Sequence, residues 1–441
     1  MFFLSKFAIF DYIESILQII FKLSIGGMRK MLENLDSNLL KYAELAVKVG
    51  VNIQKDQYLY IAASTDAVEF VRLVTKIAYE AGAKQVFVDF SDDQVGRYRY
   101  ELAPEDSFDF FPSWKVQERE WLAEQGAAFM SIVSQSPDLL KGIDPKRIAT
   151  FQKAAGTALN KYRQYVQSDK IAWTVIAVPS KAWAAKVFPH LSENGQVDAL
   201  WDAIFKATRA NLENPVEAWV KHNDTLHEKV TYLNAKKYAK LHYTAPGTDL
   251  TIELPKGHLW CGAGSVNERG DEFMANMPTE EVFTVPHKDG VNGYVSSTKP
   301  LSYGGNIIDN FKITFENGRI VNVEAEQGEE VLKNLIATDE GSHYLGEVAL
   351  VPHNSPISNS GLLFFNTLFD ENASNHLAIG SAYAFCLEGG KTMSQEQLKA
   401  NGLNQSITHV DFMIGSADMN IDGITEDGQQ EPIFKGGNWA F

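Results

Sequence analysis

From Tyr58 onward the apolar positions follow two alternating rhythms. YLYIAA (58–63) is a short apolar run of strand length. AVEFVRLVTKIAYEAGA then repeats its apolar residues at helical spacing and stops at Gly82, and QVFVDF (85–90) is strand-like again. Tyr58–Phe90 therefore reads as a βαβ unit. Two further apolar runs, Ala128–Val133 and Trp173–Val178, flank the helical stretch KRIATFQKAAGTALNKYRQYV, and DALWDAIFKATRA adds another helix. The pattern predicts an α/β amino-terminal domain with a mostly parallel sheet over residues 31–235.

Near Ala235 the rhythm changes. KLHYTAPGTDLTIELP alternates on both sides of a Pro-Gly-Thr-Asp turn, and FKITFENGRIVNVEAE does so around Asn317-Gly318, so each reads as a hairpin. EVALV and ITHVDFMIG add strands, and EEVLKNLIAT is the clearest helical pattern left. The expectation is a β-rich α+β carboxy-terminal domain over residues 236–441, with the boundary at 230–240. Residues 1–30 differ from both parts. Lys6, Asp11, Glu14 and Lys22 interrupt their apolar run, which excludes a spanning helix and spoils a signal peptide. The spacing of Asp11, Glu14, Gln18 and Lys22 suits an amphipathic helix. The preferred reading is a dispensable extension ahead of a start at Met28 or Met31, where MLENLDSNLLKYAELAVKVG opens the first helix of the domain.

The 441 residues carry 40 Lys+Arg against 56 Asp+Glu, a net charge of −16. An acidic surface repels phosphate backbones, so a nucleic-acid partner is not expected, and neither is stable membrane association. The two cysteines, Cys261 and Cys386, are too few for a disulfide framework or a Cys-rich zinc module; they read as buried inert thiols and fit a reducing cytoplasm. No G-x-G-x-x-G follows the first strand, and neither a P-loop, a G-x-S-x-G elbow nor an H-E-x-x-H occurs.

Seven of the ten histidines lie after residue 235. In His409-Val410-Asp411, positions i and i+2 of a strand point the same way, so an imidazole and a carboxylate project together while Val410 and Phe412 face a core. Glu280-Glu281 precedes an apolar run, and on an extended chain only one of the two faces a given site. Glu347 sits inside GEVALV, where a buried carboxylate is costly unless it is paired or bound to metal. His376 precedes LAIG, with Tyr383 seven residues on. Alone, each has a plain structural reading: a surface pair, a solvated loop, an edge position, a satisfied core histidine. Together, three carboxylates and two histidines match what a two-metal hydrolytic centre needs to activate a water, polarise a carbonyl and bind a free amine. His343 and His353, close to Glu347, read as neighbours of such a centre rather than as ligands, and Asp370 and Glu371 as a solvated turn.

On NMPTEEVFT, GEVALV, NHLAIGSAY and THVDFMIG the sequence resembles the M29 metallopeptidase family of bacterial aminopeptidases, a likeness extending from about Met31 to Phe441. The resemblance implies a cytoplasmic homodimer whose chains each hold two divalent ions (Zn, Co or Mn) and act on short peptides. Carried over position by position, it implies Glu281, Glu347, His376, His409 and Asp411 as metal ligands, with Glu281 preferred to Glu280 for its spacing to Glu347. It implies Glu347 as general base and Tyr383 as donor to the oxyanion. Two other functions use the same residues: a dinuclear amidohydrolase on a non-peptide substrate, and a non-catalytic metal- or peptide-binding protein.

Overall fold

The computed structural model describes residues 35–441, so the expectations for residues 1–30 lie outside the described residues. A helix over residues 35–45 continues into a wider turn at Ala46–Gly50 and leads to four parallel strands: β1 (Tyr58–Ser64), β2 (Gln85–Ser91), β3 (Ala128–Val133) and β4 (Trp173–Ala177). Their order across the sheet is β2-β1-β3-β4. Alternation along β1 serves two layers at once. Leu59, Ile61 and Ala63 pack on one side with Val71, Val74 and Ile77 of helix Val68–Glu80, whereas Tyr60 packs on the other with Leu122, Phe129 and Tyr162. The α/β expectation for this region therefore holds, on both faces of the sheet.

Three helices carry little of the signal that identifies the others. Asp93–Leu102 has no buried residue, and Ser113–Glu124 buries only Leu122 and Ala123. Pro215–Lys236 runs 22 residues but buries only Pro215, Trp219, Leu226 and Leu233. Its clearest sequence mark is the start, where Asn214 caps Glu217 N–H and Pro215 occupies the first turn.

The region after residue 236 is β-rich. Strands Lys240–Ala245 and Thr248–Glu253 form the expected hairpin, as do Asn306–Glu316 and Arg319–Gln327. Asn317 and Gly318 both have positive φ (48° and 81°), and a Cβ on Gly318 would lie 1.8 Å from the Lys288 carbonyl oxygen, so only glycine fits there. These strands belong to a nine-stranded sheet. A second, five-stranded sheet contains β5 (Cys261–Gly262), β6 (Val282–Thr284), β7 (Leu345–Leu350), β8 (His376–Gly380) and β9 (His409–Met413), antiparallel in the order β9-β8-β7-β6-β5. Val348, Leu350, Leu377, Ile379 and Phe412 turn one of its faces into the large core shared with the nine-stranded sheet. The opposite face is left for chemistry.

The two parts meet along β4. Val175 N–H donates to Ala275 O at 2.8 Å and Met277 N–H donates to Val175 O at 3.0 Å, so segment 275–277 extends the parallel sheet at its edge. Phe273, Met274 and Met277 sink into the core of the α/β layer, together with Phe364, Leu368 and Phe369. That anchoring delivers the next residues, Thr279-Glu280-Glu281, to the gap between the layers.

Candidate metal centre

The cavity side of the five-stranded sheet is organised by register. Ala378 lies opposite Glu347 on one neighbouring strand and Asp411 on the other, Gly380 lies opposite His409, and Ala349 lies opposite His376. Directly opposed residues share a face, so Glu347, His376, His409 and Asp411 all project from the same side, around the single methyl of Ala378. A longer side chain at 378 would fill the space these four groups surround. Glu347 reaches this face through an irregularity in the β7–β8 ladder between Leu345 and Glu347. Gly346 permits it: a Cβ there would lie 2.3 Å from Ser381 O.

Glu281 arrives from the segment ahead of β6. Its carboxylate lies 3.0 Å from His376 Nε2, and Glu347 Oε1 lies 3.6 Å from the same nitrogen. The other oxygen of Glu347 is 3.5 Å from His409 Nε2, which is also 3.5 Å from Asp411 Oδ1. Two groups of three result, Glu281–Glu347–His376 and Glu347–His409–Asp411, each with donor atoms within 4.8 Å of one another, and Glu347 belongs to both. Glu280 turns away. It forms a two-pronged ion pair with Arg209 (2.8 and 3.1 Å) and lies 3.6 Å from His222.

The imidazoles are oriented from behind. His376 Nδ1 donates to the carbonyls of Glu371 (3.0 Å) and Ser374 (3.2 Å), and His409 Nδ1 donates to Ser381 O (2.8 Å). Each ring thus presents Nε2 to the cavity, the arrangement that outer hydrogen bonds impose on metal-binding histidines. Burial by itself would lower both imidazole pKa values. For His376 the hydrogen bonds it donates to Glu281 and Glu347 outweigh burial, and for His409 the neighbouring Tyr383 oxygen and Asp411 carboxylate do, so both are raised well above the ordinary value. Burial pushes the Glu281 carboxyl up, and the His376 hydrogen bond opposes it. Asp411 Oδ1 is buried and has no hydrogen-bond partner among the described residues. An unpaired buried carboxylate oxygen beside an Nε2 fits a divalent cation of the N/O-preferring kind.

Sequence reading sets one residue of this cavity aside. Asp370 and Glu371 are not a solvated turn. Leu368, Phe369 and Ala373 around them are buried, and they carry both acids inside. Asp370 accepts the N–H groups of Phe364 (2.9 Å) and Asn366 (3.0 Å). Glu371 lines the cavity, and burial, then the charges of Asp411 and Glu281, raise its carboxyl well above the ordinary value. Cys386 is buried, as expected for an inert thiol; Cys261 is only half-buried and lines the cavity. His343 and His353 do not line it.

The cavity holds about 350 Å³. Tyr383 stands beside His409, ring centres 4.8 Å apart, and stacks on Phe385 at 5.1 Å. Burial raises its hydroxyl pKa, so it stays a neutral donor.

The family model described as thermophilic metalloprotease (M29) matches residues 35–439. The chain belongs to the M29 metallopeptidase family. It is 66% identical over 410 residues to aminopeptidase AmpS of Bacillus subtilis, covering 93% of this chain and all of that one. To aminopeptidase T of Thermus thermophilus it is 44% identical over 403 residues, 91% of this chain and 98% of the other. The solved structure of wild-type AmpT from Thermus thermophilus superposes with a TM-score of 0.84 at 43% identity, covering 92% of this chain and 99% of that one. The resemblance on four short segments thus extends over the whole described chain.

Proposed function

We propose that this chain, a metallo-aminopeptidase, removes amino-terminal residues from short peptides with two divalent ions held by Glu281, Glu347, His376, His409 and Asp411. The observation that carries this reading is the pair of three-residue groups sharing Glu347, one carboxylate oxygen towards each histidine. Glu371, on the same cavity, adds a further carboxylate able to hold a cation or a proton.

Bound at these residues, a pair of divalent ions supplies an activated water and polarises the scissile carbonyl. The chain's own groups do the rest. The surplus of carboxylates attracts the ammonium of a free amino terminus, which places the first peptide bond at the centre and makes the enzyme an exopeptidase. Glu347, between the two groups, accepts the proton of the attacking water and passes it to the leaving amine. The neutral Tyr383 hydroxyl donates to the oxyanion of the tetrahedral intermediate. Zn, Co and Mn all suit this N/O donor set. We further propose a cytoplasmic homodimer, and a division of the chain into residues 31–235 and 236–441. Among the described residues no helix is long and apolar enough to cross a membrane.

The test is hydrolysis of dipeptides and aminoacyl-p-nitroanilides by metal-stripped protein, with and without added Co²⁺ or Zn²⁺. Cleavage is expected only with metal, and amino-terminal acetylation of the substrate should abolish it. Metal-dependent cleavage of acetylated or non-peptide amides instead would favour the amidohydrolase, and two bound ions without any cleavage the binding protein.

A further inference from the structure

The cavity has a second polar wall that the metal centre does not use. Asp169, Trp173, Ser265, Phe385 and Lys391 line it, and none of them belongs to either three-residue group. Asp169 sits just ahead of β4 in a left-handed conformation (φ 49°) and is 4% exposed. Lys391 Nζ donates to its Oδ2 at 3.3 Å, whereas Oδ1 is buried without a partner among the described residues, as is Nε1 of Trp173. Burial pushes the Asp169 carboxyl up to about 6. Its Oδ1 is enclosed beside Ser265 and Trp173, so Asp169 serves to fix the Lys391 ammonium in the cavity wall. Among the described residues lining the cavity, Lys391 is the only lysine or arginine, against the carboxylates Asp169, Glu281, Glu347, Glu371 and Asp411. Its hydrogen bond to Asp169 leaves the ammonium two further donors.

A line of rings joins this wall to the metal centre. His409 lies 4.8 Å from Tyr383, Tyr383 lies 5.1 Å from Phe385, and Lys391 Nζ lies 5.9 Å from the Phe385 ring centre. An extended peptide advances ~3.3–3.6 Å per residue, so at most about four residues span that path.

We propose that Lys391, held in place by Asp169, forms the subsite for the downstream end of a short peptide, its ammonium pairing with the peptide's α-carboxylate. This rests on the aminopeptidase reading and names what makes the substrate short. An α-carboxylate entering a cavity rich in carboxylates needs one fixed cation, and Lys391 is placed to provide it. A chain too long to set its carboxylate there, or one ending in an amide, forfeits that contact.

The experiment compares kcat/KM for Leu-Gly-Gly and its carboxy-terminal amide in the metal-loaded enzyme, with leucine p-nitroanilide as a reference that lacks both features. The free acid should be favoured about tenfold, mostly through KM, as one charge-assisted hydrogen bond predicts. Lys391→Met should bring the acid-to-amide ratio close to one, and Lys391→Arg should restore most of it. Because the readout is a ratio within each variant, a general loss of activity cancels. An acid-to-amide ratio near one in the unmodified enzyme overturns the proposal, whether or not Lys391→Met folds; so does a Lys391→Met enzyme that keeps the preference. If none of the three substrates is cleaved under any metal, the aminopeptidase reading itself has failed and the subsite falls with it. Cleavage of all three without discrimination removes the subsite alone.

Discussion

Glu347→Gln should lower kcat/KM by about 10³-fold or more, combining the loss of a general base with the loss of a ligand both metal groups share. The variant keeps the size and shape of the side chain, so folding should not suffer. Glu347 is 4% exposed, and neighbouring Glu281, Glu371 and Asp411 are all acids on the same cavity. Neutralising one carboxylate relieves repulsion among the acids but weakens the pairs with His376 and His409, so the thermal midpoint of the metal-free chain should stay close to the parent's. What should fall is metal content, measured by elemental analysis after dialysis, and the stabilisation that added metal gives. Activity within threefold of the parent, with metal content unchanged, would remove Glu347 from the centre.

The largest effect on stability is expected at Arg209, which touches no proposed ligand. Its guanidinium grips Glu280 at 2.8 and 3.1 Å, with both side chains largely buried. Glu280 N–H also donates to Asn372 Oδ1 at 2.7 Å, so this residue ties the Glu281 approach to the segment that carries Glu371. Arg209→Met leaves a buried carboxylate without its partner and should cost about 3–5 kcal/mol, read as a drop in the urea midpoint at unchanged slope. Arg209→Met combined with Glu280→Leu should recover most of that loss, because the penalty comes from the unpaired charge rather than from a missing attraction. Recovery of nothing in the double variant would show that the Arg209 stem, not its charge, supports the fold.

The legible parts of the site were those where local periodicity sets direction. His409 and Asp411 share a face because strands alternate, and the same rule makes Glu280 and Glu281 diverge, one to Arg209 and one to the cavity. The hairpin at Asn317-Gly318 was legible because its turn demands positive φ. Glu371 was not, because Asp-Glu-Asn has the composition of a turn in water; its burial depends on Phe364, Leu368 and Phe369 packing into the core of the distant α/β layer. Helix Pro215–Lys236 was missed because Trp219, Leu226 and Leu233 give it only a sparse buried stripe. The strand order β9-β8-β7-β6-β5 and the row Glu347–Ala378–Asp411 are products of pairing between segments far apart in the chain, which no local pattern encodes. The pair Asp169–Lys391, 222 residues apart, is hidden for the same reason.

The central claim, that the two groups sharing Glu347 hold two ions, is tested most directly by anomalous diffraction from crystals of the metal-stripped protein soaked in Zn²⁺, recorded above and below the zinc absorption edge. Two peaks per chain are expected, one against Glu281, Glu347 and His376 and the other against Glu347, His409 and Asp411. A single peak, or peaks elsewhere with none at Glu347, would contradict that claim.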